Sequence, residues 1–447
     1  MKRRRHCARL TAASALLITD IAFAALQVTP GTAGGTYVLG GKIATPTGVI
    51  DGELAISGDT ITCVATNCAT PASATVIHVT GAYILPGFVD AHNHVAYNVF
   101  PKWQPPKLYQ NRGQWQASTA YANFKAPYNE LKKTVFCEMV KYGEVRALIS
   151  GVTTVQGTSP NNTCFRTLIR NAENQNELGL PANTIRTYIL DIKTFKSSVN
   201  WSKTKAYVIH LAEGIDEKSR AEFDTLKAKH MLHAGTVLVH GTALGAAEFD
   251  QLASLQIPII WSPQSNLALY GKTTDIATAR QHNVNVSLGV DWNPTGSDNI
   301  FDELRVADEQ NRTNFGSVIH SDEWLDMITA YPANALALGN EIGALAANHK
   351  ADITVLAKRD SNVNDSLLKA HLEDVELVML AGRPLYGEAI AMSTLRPAEC
   401  EAFDVHGVHK RVCVRDPRPG VVKSDQSLAA IRSALKARYP KLAPLVP

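Results

Sequence analysis

The chain has little charge. Only 19% of its 447 residues are Asp, Glu, Lys or Arg, and the formal net charge is +3, part of it in the N-terminal "MKRRRHCAR". That leaves no electrostatic footprint for nucleic acid. There is no Cys-x-x-Cys, which argues against a cysteine zinc site. There is no Gly-x-Gly-x-x-Gly after a strand and no P-loop, which removes the main support for an open doubly wound nucleotide-binding sheet. The leading apolar run is broken by Asp20, which argues against a permanent membrane anchor. What is present, 45% hydrophobic residues, suits a globular chain long enough for one large α/β domain and a smaller companion.

The first 24 residues read as an export signal: a basic "KRRRHCAR", the apolar "LTAASALLITDIAFAAL", and "AFA" at 22–24 as a small-x-small cleavage site. Of seven cysteines, Cys7 lies in that segment. The other six allow three pairs, with Cys63–Cys68, Cys137–Cys164 and Cys400–Cys413 as candidates, although spacing does not fix connectivity and buried free thiols are the alternative. An even number after cleavage suits an exported, oxidised chain, periplasmic or secreted.

Residues 36–84 read as short strands separated by turns, and the same texture returns over residues 341–420, in "KADITVLAK" and "VELVMLAGRPLYG". The two segments are expected to form one small composite β-sandwich domain. Between them, over residues 85–340, strand-like runs such as "AYVIHLAEG", "TVLVHGTAL" and "NVSLGVDWNP" alternate with helical stretches. That alternation predicts an α/β fold built on a (β/α)8 TIM-like barrel. Residues 421–447 read as a tail with a helical pattern at 425–438.

In "YILPGFVDAHNHV", His92 and His94 sit two apart at a strand end, so their side chains share a face. His210, His240 and Asp291 also end apolar runs. In such barrels the strand C-termini form the active face. Imidazole and carboxylate are zinc ligands, and a catalytic site leaves one position for a water whose pKa falls toward ~7. His92, His94, His210 and Asp291 are the candidate ligands. Glu213, three residues after His210, is the candidate for proton transfer. His240 is placed to polarise the attacked centre, and Asp291 to take the water's proton. A helix first-turn carboxylate at 213, a strand-end hydrogen bond at 240 and a turn residue at 291 are the structural alternatives.

These motifs resemble the amidohydrolase superfamily of metal-dependent hydrolases. "ILPGFVDAHNHV" is similar to its first barrel strand. "HLAEG", "VHGTAL", "WSPQSNLALYG" and "LGVDWNPTGSDN" resemble strands five to eight of its aminohydrolase and chlorohydrolase branch. "IGALAANHKADITVL" and "VMLAGRPLYG" resemble the return into the small β-domain. The resemblance implies a mononuclear enzyme with one divalent metal, zinc, with iron as the alternative. It implies hydrolysis of a carbon–nitrogen bond other than a peptide bond, by deamination or cyclic-amide opening. A binuclear relative with Lys193 as bridging ligand, and a non-catalytic binding protein on the same scaffold, are the competing readings. The implied partner is a small-molecule substrate, with no nucleic acid and no stable membrane insertion; a homo-oligomer is open.

The stretch after the His pair, "AYNVFPKWQPPKLYQNRGQWQASTAYANFKAPYN", is rich in Trp, Tyr, Pro and Asn and shows little regular periodicity. It reads as a long loop, a lid or pocket wall. Tyr97, Asn98, Trp103 and Trp115, with Gln156 and Gln264, are the candidate substrate contacts.

Overall fold

The apolar runs become strands in a computed structural model of the chain, which describes residues 25–157, 164, 168–188, 192–195, 198–396, 400–415 and 425–447. The expected signal segment, 1–24, lies outside the described residues.

Five strands open the described chain: β1 (Ala25–Thr29), β2 (Thr36–Thr45), β3 (Gly48–Ser57), β4 (Thr60–Ala65) and β5 (Thr75–Pro86). Eight short strands follow: β6 (Phe88–Asp90), β7 (Val152–Val155), β8 (Arg170–Asn171), β9 (Ile185–Tyr188), β10 (Ala206–Leu211), β11 (Thr236–His240), β12 (Ile259–Trp261) and β13 (Val286–Leu288). They form two parallel sheets, β6-β7-β8 and β9-β10-β11-β12-β13. β10 and β11 are buried along their whole length, as parallel strands covered on both faces must be, which is why they read as unbroken apolar runs.

The two sheets meet at one seam. A parallel bridge pairs Asn93 with Asp291, the Asp291 N–H donates to His92 O at 2.8 Å, and the His94 N–H donates to Asp291 O at 2.6 Å. At the other seam, among the described residues, no ladder joins β8 to β9. Side chains reach across instead: the Gln175 amide donates to Ile185 O at 2.8 Å, and the Thr187 hydroxyl donates to Glu173 Oε1 at 2.5 Å. β8 has two residues, too few for a ladder on both sides.

Five later strands, β14 (Ile353–Ala357), β15 (Val375–Leu380), β16 (Arg383–Glu388), β17 (Glu401–Val405) and β18 (Val408–Val412), join the first five in one ten-stranded sheet. A small composite β-sandwich from the two segments was the expectation; their strands share one hydrogen-bonded ladder that runs without a break. The reason is β5, twelve residues long, which pairs with β2 on one edge and with β1 and then β14 on the other. Gly81 marks the change of partner, with a φ of 70° that glycine adopts at no steric cost.

The long stretch after the His pair is not a loop throughout. It holds a 3-10 turn (Val95–Val99), α1 (Arg112–Gln116), α2 (Thr119–Thr134) and, after it, α3 (Phe136–Leu148). Ser118 caps α2 by accepting from Tyr121 N. The helical period of α2 escapes notice because Leu131 is its one buried residue and Pro127 lies inside it. A C-terminal helix, Leu428–Arg438, has its first turn capped by Glu401, and the following segment accepts from the Tyr142 hydroxyl of α3 at Ala443 O, 2.5 Å away. The pairs Cys63–Cys68, Cys137–Cys164 and Cys400–Cys413 are all bonded. Among the described residues no helix is long and apolar enough to cross a membrane.

The parallel strands are tied to the ten-stranded sheet by a buried ion pair. Arg170 on β8 forks onto both carboxylate oxygens of Asp352, and Asp352 also accepts from Ala381 N at 2.9 Å. Removing one member leaves the other charge buried and unpaired, a loss of about 3–5 kcal/mol. Asp352→Leu is therefore expected to lower the thermal midpoint by several degrees. The double change Arg170→Met, Asp352→Leu is expected to recover much of it, read by calorimetry on the two variants.

Candidate metal centre

Five of the expected residues converge at the strand C-termini. His92 and His94 follow β6, His210 lies in β10, His240 ends β11 and Asp291 follows β13. All are buried except His94, which is about a fifth exposed. The imidazole of His92 is central: its ring centroid lies 4.9 Å from that of His94, 4.6 Å from His210 and 5.3 Å from His240. Asp291 Oδ1 is 3.1 Å from His92 Nε2 and 3.4 Å from His94 Nε2. Two triads, His92–His210–His240 and His92–His94–Asp291, each hold ligand atoms within 4.8 Å of one another. Two ligands on one zinc stand no more than roughly 4 Å apart, twice a bond of ~2.1 Å, so the cluster is close to the size that one ion needs.

The donor chemistry also fits a cation. Neither Nδ1 of His92 nor Nδ1 of His210 makes a hydrogen bond, although both are buried. Buried polar atoms without partners are rare in folded chains and call for a missing partner. Burial, with neighbouring imidazoles adding to it, pushes His94 down to about 4, His240 to about 3 and His210 well below its ordinary value. These rings are neutral at pH 7, the form that binds a metal. Burial alone would raise Asp291, but the facing histidines overcome it and hold the carboxyl ionised, below the usual carboxylate range.

The backbone is bent to bring these groups together. Ala212, His240 and Asp291 have φ of 52°, 71° and 69°. Such left-handed positions cost of order 1–3 kcal/mol for a non-glycine residue and persist where surroundings enforce them. Here the Thr274 hydroxyl donates to His240 O at 2.7 Å, and the Asp291 backbone is held through the seam to His92. Gly289 permits that seam, because a Cβ there would fall 2.6 Å from the Cβ of His92.

A second layer fixes the side chains. Ser265 donates to Asp291 Oδ2 at 2.5 Å. The Asn266 amide lies 3.0 Å from His240 Nδ1, and with Thr273 donating to its carbonyl the amide nitrogen faces the ring. His240 Nδ1 then accepts and Nε2 carries the proton, on the side that faces Glu213 Oε2 at 3.8 Å. Glu213 accepts from the Tyr270 hydroxyl at 2.8 Å and from Arg112 at 3.3 Å, and Trp115 Nε1 donates to that hydroxyl at 2.8 Å. Burial raises Glu213 above the ordinary carboxyl range, with Arg112 opposing the shift.

The cluster forms one end of a cavity of about 530 Å³. Of the expected contacts, Tyr97 and Trp115 line it. The other four do not. Asn98 is spent inside the structure, donating to Asn93 Oδ1 and accepting from Asn293 N. Gln156 is fully buried and its amide is held by Glu173 and Thr187. Trp103 and Gln264 line a neighbouring cavity of about 630 Å³. Sequence position places all four near the strand ends but says nothing of the direction their side chains take. Lys193 is exposed in a 3-10 turn (Ile192–Thr194), outside the cavity lining. Lys193→Ala is expected to leave metal content and turnover within twofold of the parent, checked by elemental analysis and initial rates. Sequence reading missed Arg112, Tyr270 and Trp292. Arg112 and Tyr270 carry no motif, and only the Tyr-Gly closing "SNLALYG" hints at a helix end there.

The sequence pattern of the amidohydrolase family matches residues 199–385, which carry His210, Glu213, His240 and Asp291. Over that stretch the chain is similar to the amidohydrolase family. Among its relatives is a 5-methylthioadenosine/S-adenosylhomocysteine deaminase of Pyrococcus horikoshii, 27% identical over 39% of this chain and 45% of the relative. The chain thus matches less than half the length of that enzyme. A 5'-deoxyadenosine deaminase of Methanothermobacter thermautotrophicus is 24% identical over 78% of this chain and 92% of the relative. The fold is similar to that of a zinc-bound adenosine deaminase from Xanthomonas campestris, with a TM-score of 0.56 at 16% identity, over 78% of this chain and 92% of that one. It is also similar to a zinc-complexed atrazine chlorohydrolase from Arthrobacter aurescens, with a TM-score of 0.58 at 15% identity, over 78% of this chain and 95% of that one.

Proposed function

We propose that this protein is an exported, mononuclear metal-dependent hydrolase that deaminates a small heteroaromatic amine of nucleoside-like shape. The observation that carries the reading is the convergence of four histidines and one aspartate at four strand ends, with buried ring nitrogens that lack partners. The arrangement is that of the C-terminal face of a closed (β/α)8 barrel, the architecture we infer for the two parallel sheets. His92, His94, His210 and Asp291 would hold one zinc or iron ion, with His240 beside them. When bound, the ion supplies a water that ionises near neutral pH.

The chain's own groups then divide the work. Asp291 Oδ1 faces the histidine cluster and takes a proton from the water. Glu213 Oε2, beside His240 Nε2, gives its proton to the ring nitrogen and takes one back from the new hydroxyl as the carbonyl forms, while Asp291 passes the proton it took from the water to the departing amine. His240, protonated on Nε2, donates to the oxygen that adds to the ring. One water is consumed, an exocyclic amino group becomes a carbonyl, and ammonia leaves. Tyr97, Trp115 and Trp292 give the cavity flat walls suited to a planar ring. Three bonded cysteine pairs and the N-terminal 24 residues support export into an oxidising compartment.

The test is ammonia release from adenosine, 5'-deoxyadenosine, S-adenosylhomocysteine and an aminotriazine by zinc-loaded protein. Release from at least one supports the reading. No release from any, by protein shown to carry metal, would overturn the deaminase assignment.

A further inference from the structure

The wall of the cavity opposite the strand ends is helix α2, and its composition is specific. Tyr121, Lys125, Tyr128 and Lys132 all line the cavity. They stand four, three and four residues apart, which puts them on one stripe of the helix. The two tyrosines extend the aromatic lining. Tyr128 stacks on Tyr97 with ring centroids 4.2 Å apart and an interplanar angle of 7°, and Tyr121 packs edge-on against Trp115 at 4.7 Å.

The two lysines are the unusual part. Among the described residues neither has a carboxylate partner; Lys125 Nζ instead lies 5.7 Å from the centre of the Tyr121 ring, and Lys132 Nζ 5.9 Å from that of Phe136. Lys133, one residue along and off the stripe, is paired with Glu130 at 2.8 Å. The acids in the lining, Glu213 and Asp291, are both committed to the strand-end cluster. Lys125 is half-buried and Lys132 exposed, so the ammonium groups stand toward solvent while the cluster is buried.

We propose that this stripe selects substrates bearing an anionic group, phosphate or carboxylate, on the side of the planar ring remote from the reacting amine. The inference rests on the reaction proposed above and names the class of substrate for it. Tyr128 and Tyr121 face the ring or its linker, and Lys125 and Lys132 hold the anion at the mouth. A phosphate or carboxylate would meet these ammonium groups in a charge-assisted contact, which is stronger than a neutral one.

The experiment compares adenosine with adenosine 5'-monophosphate, the same ring without and with an anion. Binding is followed by calorimetry at low and high salt and turnover by ammonia release. The parent protein and the double variant Lys125→Gln, Lys132→Gln are both measured. The expected result is that the parent binds the monophosphate at least about tenfold more tightly than adenosine. That preference is expected to disappear in the double variant and shrink at high salt, as pairs open to solvent do. Adenosine binding is expected to be unchanged. Lys133→Gln serves as the control and leaves the preference intact. Equal binding of the two compounds by the parent, or a preference that survives in the double variant, would overturn the inference. If either compound is still deaminated, the proposed reaction stands in that case. A lysine-dependent preference without ammonia release from any compound would uphold the anion site and remove the deamination. Failure of both compounds to bind would overturn the inference, and the reaction would then be decided by the other amines named above.

Discussion

Glu213→Gln is expected to lower kcat by about 10²- to 10⁴-fold, the usual contribution of a positioned proton-transfer group, with metal content unchanged. The substitution keeps shape and polarity. Gln can still accept from the Tyr270 hydroxyl, and Arg112 keeps its contact to Glu222 at 3.2 Å, so the buried guanidinium is not left without a partner. The fold should hold. What is lost is a group able to carry a proton 3.8 Å from His240 Nε2. Metal analysis and a thermal scan beside the kinetics separate this from a structural effect. A Glu213→Gln enzyme as active as the parent would remove the proton-transfer role. A variant that has lost its metal would recast Glu213 as part of the ligand set.

Asp291→Asn is expected to cost metal and activity together. The position has φ 69°, which asparagine tolerates better than most residues, and its amide can still meet the Ser265 hydroxyl. The change thus removes a charge and little else. The carboxylate stands against the ring nitrogens of both His92 and His94, and its loss removes the charged member of that triad. The affinity should fall by more than the roughly 10- to 100-fold that follows loss of a group outside the ligand set. Activity should return only partly at high zinc concentration. Retention of metal with loss of turnover would instead make Asp291 a proton acceptor and no ligand. Equal activity with equal metal would place the site elsewhere.

The parts of the molecule built on period and chemistry were readable in the amino-acid sequence. β10, β11 and β13 announce themselves as apolar runs because both faces are covered, and each ends within three residues of a member of the cluster. His92 and His94 share a face by the pleat alone. Direction and pairing were not readable. Asn98 and Gln156 lie where substrate contacts were expected, yet their amides are turned inward to Asn93 and Glu173. β8 is two residues long and leaves no pattern. The continuity of the ten-stranded sheet depends on β5 changing partners at Gly81, a matter of three-dimensional pairing. α2 looked like loop because its organised face is polar and aromatic and meets a cavity, so the apolar stripe that betrays most helices is missing.

The measurement that bears most directly on the account is metal per chain, determined by elemental analysis on protein purified without added metal. Close to one zinc or iron, removed by chelation together with activity and restored with it, is the predicted result. Close to two would mean a binuclear centre and a different ligand set. None, with no activity gained on adding zinc, would contradict the account and leave a cluster of buried histidines that binds no ion.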